Sequence, residues 1–553
     1  MNFVRMSEAK RSIRYTGAVY TPEPVARALS ELVAAHSNGI DGRVLEPSVG
    51  DGAFLSALAW SLPSRPFTAV DIESSVIERL RSRASDREPA PEFYAGDFVT
   101  FACDHLEARK PPFGMIVGNP PFIRKHNFSS EFRDVVDRLG ALANYPANAL
   151  KNSWTAFLLA SAHLIGVRGL VAFILPYELM TVAYGQKCLL HLLDIFDRID
   201  LYVPNERAFP EIDQDALILF GRKGGDVETG LYLQHVPSLS ELVTRREHRI
   251  STESPSDLSL ELNSFLLGRQ TIDSVRQIRT RASRISDFCT NSPGVVTAAN
   301  DYFILSSNSV SDLGLDEFAL PILKRGSLRK TSPVFTVADF NELAIREPSR
   351  LLKIPMVREE LSGAALSYVD AGELRKLNER FKCRNRKPWY DVPLVKPAAG
   401  FVFRRSHEFP RLLLNEAGVY ITDNAYGITP KSDFTIRGIC YSFYNSLTFL
   451  FAEMDGRFYG GGVLELSPVE FRNLPMAYHE PSELEFQAFL NAHRSGDVQA
   501  ILDYGDGWLA KKLELSRSEL DGLRVAWSSV RAHRLRHGRP AGVNRQSVVD
   551  FPA

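Results

Sequence analysis

The sequence predicts an α/β protein with a Rossmann-like sheet in its first part, then an α+β or β-rich region, then a helical C-terminal segment. Three observations support this prediction. Short apolar runs alternate with helical patterns as far as about residue 225, which is typical of βα units and of a mostly parallel sheet covered on both faces. Between about residues 287 and 476 the apolar runs are short and are interrupted by Gly, Pro, Asn and Asp. From Pro481 onward the periodicity is helical.

The predicted strands of the first part are short and buried. They lie at 43–46, 67–70, 93–95, 115–117, 169–175 and 217–220, and helices lie between them at 53–62, 75–83 and 155–165. The last of these helices has an amphipathic pattern. The carboxyl ends of parallel strands lie at one edge of a sheet, and open α/β sheets bind ligands at that edge. Residues that follow these strands are therefore candidates for a site.

A chain of 553 residues is too long for a single core, and we expect three parts. They are the sheet at 1–250, the α+β region at 251–480, and a helical segment at 481–553. A polar stretch at 252–259 marks the first seam. The last segment ends in a basic tail. Three interpretations of this tail are open: it binds DNA, it binds a partner protein, or it is disordered. Its arginines are Arg531, Arg534, Arg536, Arg539 and Arg545.

The composition is that of a soluble globular protein, with 44% apolar and 24% charged residues. A net charge of −1 neither supports nor excludes binding to nucleic acid, because a basic groove can be offset by acidic residues elsewhere. The five cysteines are far apart and lack metal-ligand spacing, which predicts a reduced, cytoplasmic protein without a metal site. We expect no signal peptide and no membrane span.

The most informative motif is Asn119-Pro120-Pro121-Phe122, which follows the predicted strand 115–117. The prolines have a fixed φ and no N–H, so the turn holds one shape and directs the Asn119 amide toward the ligand edge. Phe122 adds a flat apolar face. An amide oxygen, a proline carbonyl and an aromatic face together fit a planar ring that carries an exocyclic amine. The motif therefore indicates methyl transfer to a base nitrogen.

A glycine turn follows the strand at 43–46 and leads into a helix. Glycine lets the backbone approach a ligand closely. The two acidic side chains in the turn would repel a phosphate and favour a cationic ligand such as S-adenosylmethionine. The turn reads Glu46, Pro47, Ser48, Val49, Gly50, Asp51 and Gly52.

Two further strands end in acidic residues. Asp71, followed by Ile72, is placed to accept hydrogen bonds from the hydroxyls of a ribose. Asp97 is placed to accept one from an adenine amine while Phe98 packs on the ring. A helix cap is the competing interpretation of each aspartate.

An N-terminal helix is predicted to begin near the same edge. Tyr20 and Thr21 precede it, with Thr21 as its N-cap and Pro22 at its first position. In chain order, these residues, the glycine turn and the acidic strand ends predict one cofactor site.

In this order the motifs resemble those of the gamma-class N6-adenine DNA methyltransferases, the Taq-type enzymes of restriction–modification systems. Phe122 stands where that family often has Tyr, and Asp71 where it often has Glu; stacking and ribose binding survive both changes. The Asn-Pro-Pro-aromatic motif also occurs in release-factor glutamine methyltransferases and some RNA methyltransferases, so it does not identify the acceptor. The resembling segments, within residues 10–225, are Tyr20 to Pro22, Glu46 to Gly52, Asp71, Asp97, Asn119 to Phe122, 169–176, Phe209-Pro210 and 216–220.

The resemblance implies S-adenosylmethionine as cofactor and an adenine rotated out of the duplex as acceptor. The Asn119 side-chain oxygen and the Pro120 carbonyl would accept the two amine hydrogens and direct the nitrogen lone pair toward the methyl group. Pro121 would hold the turn, Phe122 would stack on the base, and Phe209 would contact it from another side. This chemistry requires no metal and no covalent nucleophile.

The region 251–480 is predicted to recognise the target DNA. Basic residues interleaved with aromatic ones suit contacts with phosphates and base edges, and a solvated surface is the competing interpretation. Segments 422–426 and 460–475 resemble parts of the target-recognition domains of these systems. The candidates are Lys324, Arg325, Arg384, Arg386, Lys387, Trp389, Lys396, Arg404 and Arg405.

We therefore predict a sequence-specific N6-adenine DNA methyltransferase of a restriction–modification or phage-defence system. Its expected partner is double-stranded DNA, with a separate restriction endonuclease or other defence proteins as further candidates. The alternatives are N4-cytosine, RNA or protein-glutamine methylation, and a DNA-binding specificity component of a larger defence complex. The large second part argues against a glutamine methyltransferase, and the intact Asn119 motif argues against an inactive specificity component.

Overall fold

The computed structural model describes residues 20–84, 88–206, 215–225, 227–252, 258–262, 264–324, 331–459 and 462–536. The chain divides into two compact units. The first unit runs to Leu266 and includes Phe458, and the second runs from Leu267 to Arg457 and continues from Gly462 to Leu535. Among the described residues, no helix has both the length and the apolar character needed to cross a membrane.

The first unit alternates helices and strands. In chain order its elements are α1 (Glu23–Ala35), β1 (Val44–Glu46), α2 (Ala53–Ser61), β2 (Phe67–Asp71), α3 (Ser74–Arg83), β3 (Glu92–Ala95), α4 (Phe98–Glu107), β4 (Phe113–Gly118), α5 (Ser130–Leu142), α6 (Ser153–Leu164), β5 (Ile165–Pro176), α7 (Glu178–Thr181), α8 (Ala183–Leu192), β6 (Arg198–Pro204), β7 (Ala216–Lys223), β8 (Gly230–Val236), β9 (Arg246–Ile250), α9 (Leu258–Leu262) and α10 (Ser264–Leu267). Short 3-10 turns at Lys125–Asn127 and Ala147–Ala149 flank α5.

The strands of the first unit form one nine-stranded sheet in the order β3-β2-β1-β4-β5-β7-β6-β8-β9. β1 lies between β2 and β4 and pairs in parallel with both, and β4 pairs in parallel with β5. β7 runs antiparallel to β5 and β6. This architecture confirms the predicted α/β class and its Rossmann-like sheet. The prediction omitted β6, β8 and β9.

Apolar side chains cover both faces of this sheet, as predicted. Successive residues of β4 point to opposite faces, so Ile116 joins one cluster while Met115 and Val117 join the other. The first cluster includes Phe98 of α4, and the second includes Phe54 of α2. The strand ends are therefore held between two packed layers of helices.

The helix predicted at 155–165 is α6, and its interpretation as amphipathic is wrong. Every residue from Ser153 to Ala162 is buried. The reason is that α4, α5, α8 and β5 all pack against it. A helix enclosed on all sides needs an apolar surface all round, and its few polar residues must be satisfied inside the protein.

The second unit mixes short strands with helices, which confirms the predicted α+β character. Its larger sheets have the strand orders β11-β20-β16-β18-β14 and β12-β15-β13-β19. Its elements are α11 (Arg269–Arg281), β10 (Ser283–Arg284), α12 (Ile285–Phe288), β11 (Cys289–Pro293), α13 (Asn300–Phe303), β12 (Ile304–Leu305), α14 (Ser307–Asp312), β13 (Ala319–Leu323), β14 (Val334–Phe335), α15 (Val337–Arg346), β15 (Arg350–Leu352), α16 (Gly363–Leu374), α17 (Phe381–Arg384), β16 (Gly400–Phe403), β17 (Arg405–Ser406), β18 (Leu412–Asn415), β19 (Tyr420–Ile421), β20 (Ala425–Pro430), α18 (Ile436–Phe443), α19 (Ser446–Asp455), β21 (Arg457–Tyr459), β22 (Val463–Glu465), α20 (Pro468–Asn473), β23 (Pro475–Met476), α21 (Glu483–His493), α22 (Val498–Lys512) and α23 (Arg517–Arg536). The helices α21 to α23 confirm the helical C-terminal segment.

Two arginines of the predicted basic tail hold α23 in place inside the second unit. The Arg534 guanidinium is 1% exposed and donates to both carboxylate oxygens of Glu453, at 2.6 and 2.7 Å. It also donates to the carbonyl of His407 at 2.6 Å. Arg531 donates to the carbonyl of Glu408 at 2.9 Å. Arg539 and Arg545 lie outside the described residues.

We expect Arg534→Met to destabilise the second unit by about 3–5 kcal/mol, because it leaves the Glu453 carboxylate buried without its cation. Urea denaturation would show this as a lower midpoint. The control is Arg517→Met in the same helix, whose side chain is 95% exposed and should leave the midpoint nearly unchanged. Adding Glu453→Leu to Arg534→Met should recover much of the loss. Equal midpoints for Arg534→Met and the wild type would contradict a stabilising ion pair.

Candidate functional site

The carboxyl ends of β1, β2, β3 and β4 meet at a cavity of about 420 Å³. The cavity brings together most of the predicted cofactor residues and two of the predicted catalytic residues. Those in its lining are Tyr20, Pro47, Ser48, Gly50, Asp71, Ile72, Asp97, Phe98, Asn119 and Pro121. The predicted residues that stand outside the lining are Thr21, Glu46, Gly52, Pro120 and Phe122.

The glycine turn after β1 is tied to the end of β2. The Gly50 N–H donates to Asp71 Oδ2 at 2.8 Å, and the Glu73 N–H donates to Asp71 Oδ1 at 3.0 Å. Gly52 has a φ of +88° and precedes α2, and a Cβ there would lie 2.8 Å from a methyl group of Leu80. Gly52 therefore serves the packing of α2 on α3, whereas Gly50 faces the cavity.

Asp97 both lines the cavity and caps α4. Its Oδ1 accepts from the Thr100 N–H at 2.7 Å and from the Thr100 hydroxyl at 2.9 Å. Burial raises the pKa of the Asp97 carboxyl, and these hydrogen bonds oppose the rise. Phe98 is buried next to it, with its ring 4.9 Å from that of Phe157 on α6. The cap thus fixes a carboxylate beside an aromatic wall.

Glu46 lies behind the cavity and is only 1% exposed. Burial, together with the nearby carboxylates of Asp51 and Asp71, raises the pKa of Glu46 well above its usual value. Within the described part of the chain, its Oε2 has no hydrogen-bond partner. A positive charge in the cavity would therefore lower the cost of ionising Glu46.

The Asn119 side chain is held by a residue of the N-terminal segment. Its Nδ2 donates to Thr21 Oγ1 at 3.2 Å, and its backbone carbonyl accepts from Ser48 Oγ at 3.1 Å. The prediction that Thr21 caps α1 is wrong, because the N-cap position is occupied by Pro22 and α1 begins at Glu23. The Thr21 hydroxyl accepts from the Asn119 amide instead.

The sequence analysis missed Ser153, which fixes the turn that follows Asn119. Ser153 Oγ donates to the Pro121 carbonyl and accepts from the Ile123 N–H at 2.8 Å. The Ser153 N–H donates back to the Ile123 carbonyl at 2.8 Å. Ser153 is buried at the first turn of α6 and lines the cavity. The available signal for Ser153 was a polar residue at the start of an otherwise apolar helix. This signal was not used, because the helix was predicted to begin two residues after Ser153.

Phe122 is half-buried and packs against the core cluster that contains Phe98. Beyond Phe122, the cavity wall is formed by the segment that leads into and begins α5. The contribution of this segment was not predicted from the sequence. Phe128 and Phe132 line the cavity there, with ring centroids 4.8 Å apart in an edge-to-face arrangement. The predicted base contact Phe209 lies outside the described residues.

Two family models match the chain. The model of the Eco57I restriction-modification methylase matches residues 71–195, and that of the C-terminal domain of the Type II methyltransferase M.Eco57I matches residues 261–510. The Type II methyltransferase M.AccI of Acinetobacter calcoaceticus is 23% identical over 409 residues, which cover 72% of this chain and 73% of M.AccI. The Type II methyltransferase M.XamI of Xanthomonas campestris pv. amaranthicola is 25% identical over 466 residues, which cover 83% and 84% of the two chains.

The chain is a methyltransferase of the restriction–modification type. A solved structure of the Type IIL restriction–modification enzyme MmeI in complex with DNA superposes on this methyltransferase with a TM-score of 0.52. The match covers 94% of this chain and 76% of the MmeI chain at 15% identity, so it shows a shared fold.

Several predicted DNA-binding residues of this methyltransferase are engaged within its second unit. Two carboxylates pair with three of them: Lys324 lies 3.1 Å from Asp301, and Arg404 and Arg405 lie 3.0 and 2.5 Å from the same Glu465. Each of the three cations therefore has a partner within the unit.

Two other candidates in the second unit pack into it, and three are exposed. Arg386 donates to the carbonyl of Val296 at 2.7 Å, and Trp389 Nε1 donates to Glu373 at 3.1 Å. Arg325 lies outside the described residues. Besides the ion-paired Arg405, the exposed candidates are Arg384, Lys387 and Lys396.

We expect Ser153→Ala to lower the kcat of methyl transfer by about 10- to 100-fold, because the Pro121 carbonyl and Ile123 N–H lose their shared partner and the turn relaxes. The affinity for S-adenosylmethionine should stay near that of the wild type. Steady-state kinetics and calorimetric cofactor binding would separate the two effects.

The matched control is Ser129→Ala, since Ser129 also lines the cavity and accepts a backbone N–H, that of Phe132 at 3.1 Å. We expect this control to lower thermal stability while kcat changes little. A Ser153→Ala enzyme with wild-type kcat would rule out the positioning role.

Proposed function

We propose that this protein is a sequence-specific DNA methyltransferase that transfers a methyl group from S-adenosylmethionine to the N6 amine of an adenine rotated out of the duplex. One observation carries the proposal. The Asn119 amide is fixed at the end of β4, in the lining of the same cavity as Asp71 and Asp97. An amine held against Asn119 would therefore meet a cofactor held by the two aspartates within one enclosed space.

The residues of the cavity fit S-adenosylmethionine, which is cationic and carries a planar adenine. Asp71 would accept from the ribose hydroxyls and Asp97 from the adenine amine, while Phe98 packs beside the ring. Glu46 would supply negative charge behind the glycine turn once the sulfonium favours its ionised form. When bound, S-adenosylmethionine supplies an electrophilic methyl group on its sulfonium. The further cofactor contacts that we propose are Tyr20, Pro47, Ser48, Gly50 and Ile72.

Asn119 and Pro120 act on the acceptor amine. The side-chain oxygen of Asn119 and the carbonyl of Pro120 would accept its two hydrogens, which localises the nitrogen lone pair toward the cofactor. The same two oxygens would stabilise the positive charge that develops on the nitrogen during transfer. Phe122, beside them, would stack on the flipped ring. Positioning and electrostatics supply the acceleration.

Duplex DNA is the substrate that the second unit favours. Its match to the C-terminal domain of M.Eco57I and the exposed Arg384, Lys387 and Lys396 support a nucleic-acid substrate over a protein glutamine. We propose that residues 251–480 recognise the target sequence and that a separate restriction endonuclease cleaves the unmethylated site. Cytosine N4 is the remaining alternative, because it is also an exocyclic amine on a planar ring.

The deciding experiment is methyl transfer from labelled S-adenosylmethionine to unmodified genomic DNA, followed by nucleoside analysis. We expect N6-methyladenine from the wild type and a loss of at least about 100-fold in Asn119→Ala, because one of the two amine acceptors is removed. Unchanged cofactor binding in Asn119→Ala would show that the site is intact. N4-methylcytosine as the product would identify cytosine, rather than adenine, as the target base. Transfer to RNA or protein alone would overturn the proposal.

We expect binding of S-adenosylmethionine to release a proton from Glu46. The raised pKa keeps this buried carboxyl protonated above its ordinary pKa of 4.5, and a nearby sulfonium favours the ionised form. Cofactor affinity should therefore rise with pH between the lower pKa of Glu46 in the cofactor-bound form and its raised pKa in the free form. Calorimetry in buffers of different ionisation enthalpy would count the protons released.

Two controls test the assignment to Glu46. Glu46→Gln should remove the proton release and flatten the pH dependence. S-adenosylhomocysteine, which lacks the sulfonium charge, should release fewer protons than S-adenosylmethionine. Equal proton release from wild type and Glu46→Gln would show that another group titrates.

A further inference from the structure

An exposed phenylalanine stands among cations on the second unit. Phe381 is the first residue of α17 and is 69% exposed. Lys382, Arg384 and Lys387 are also exposed. We call these four residues the Phe381 surface. Single exposed apolar side chains are common on protein surfaces, so the significance of this one lies in the cations that share its segment.

The segment that carries the Phe381 surface is firmly held on its other side. Cys383 is fully buried within the core of the unit. The Asn385 side chain donates to the Phe381 carbonyl at 2.8 Å, and Arg380 and Arg386 donate to the carbonyls of Ala298 and Val296 at 3.1 and 2.7 Å. These contacts fix the backbone from which the ring projects. The backbone position of the ring is therefore set before any partner arrives.

The charge of the Phe381 surface is not neutralised by the described part of the chain. Lys382, Arg384 and Lys387 form no ion pair with a described residue, and the Arg384 guanidinium lies 5.2 Å from the centre of the Phe381 ring. Nearby carboxylates are taken by other cations. Arg358 binds Asp370 and Glu373, at 2.5 and 2.8 Å, and Lys353 binds Asp391. Glu379 is an exposed carboxylate next to Arg380.

The geometry points to a DNA-binding site at the Phe381 surface, in which the ring stacks against a base or wedges between two bases while Arg384, Lys382 and Lys387 contact phosphates. A flat apolar face beside the Arg384 guanidinium, on a segment with two further exposed lysines, matches a polymer with planar bases and a charged backbone. An acidic protein would match the cations but offer little to the ring. This inference rests on the proposed DNA substrate, and it assigns the surface of the second unit that binds the DNA.

The test is binding of a methylatable duplex to the full chain, saturated with the cofactor analogue sinefungin, over a series of salt concentrations. Stacking and charge are expected to give different results. Phe381→Ala should weaken binding by about tenfold or more without changing the slope of log Kd against log salt. Arg384→Ala should weaken binding and lower that slope by about one, because one phosphate contact is lost. Phe381→Trp should bind like the wild type.

Matched controls are Leu484→Ala and Arg517→Ala, whose side chains are 84% and 95% exposed elsewhere in the same unit. Neither should change DNA affinity. Sinefungin affinity equal to wild type in each variant would show that the cofactor site is intact.

Different results would overturn the DNA site at the Phe381 surface and the proposed function. A wild type that methylates and binds DNA, with Phe381→Ala binding equally well, would overturn the DNA site at the Phe381 surface and leave the proposed function in place. A wild type that binds no duplex would overturn both. A salt slope lowered by Phe381→Ala as much as by Arg384→Ala would exclude the stacking role.

Discussion

Parallel pairing of β1 with β2 on one side and β4 on the other is the constraint on which the site depends. The register places Leu45 opposite both Thr68 and Ile116, so the three strands end at the same edge. Glu46, Asp71 and Asn119 lie at or just beyond those ends, so the pairing of the strand backbones brings them together. A slip of one residue would turn every side chain of the slipped strand to the other face of the sheet and remove both the core and the site.

Neutral hydroxyl groups, rather than charges, hold the turn that carries Asn119. Thr21, Ser48 and Ser153 come from three distant segments, and each contacts a different polar group between Asn119 and Ile123. Hydroxyls fix the geometry of this turn without adding a net charge beside the Asn119 amide. The acidic side chains lie elsewhere in the site: Asp71 and Asp97 line the cavity, and the buried Glu46 lies behind it. Positioning and electrostatics are thus assigned to different residues of one cavity.

The sequence predicted the first half of the sheet well, because its strands are short apolar runs that end in distinctive polar residues. Contacts between segments that are far apart in the sequence could not be predicted from local patterns. Ser153 and Pro121 are 32 residues apart, and Arg404 and Glu465 are 61 apart, so neither the anchor of the turn nor the neutralisation of a DNA-binding candidate has a local signal. β9 was missed since its polar sequence suits an edge strand. The wrong pattern assigned to α6 has the same origin, because burial on all sides depends on three other helices.

The ion pair between Arg534 and Glu453 has a consequence for how the protein is made. The two residues are 81 positions apart, and Arg534 belongs to the last helix of the described chain. Synthesis runs from the N-terminus, so Glu453 and the strands around it leave the ribosome long before their buried cation does. When Glu453 has been synthesised and Arg534 has not, nearly all of the first unit's chain is complete. At that stage the second unit contains the Glu453 carboxylate without its counterion. An mRNA truncated within the codons for the last helix would therefore yield a protein that has every methyltransferase motif but an incomplete second unit.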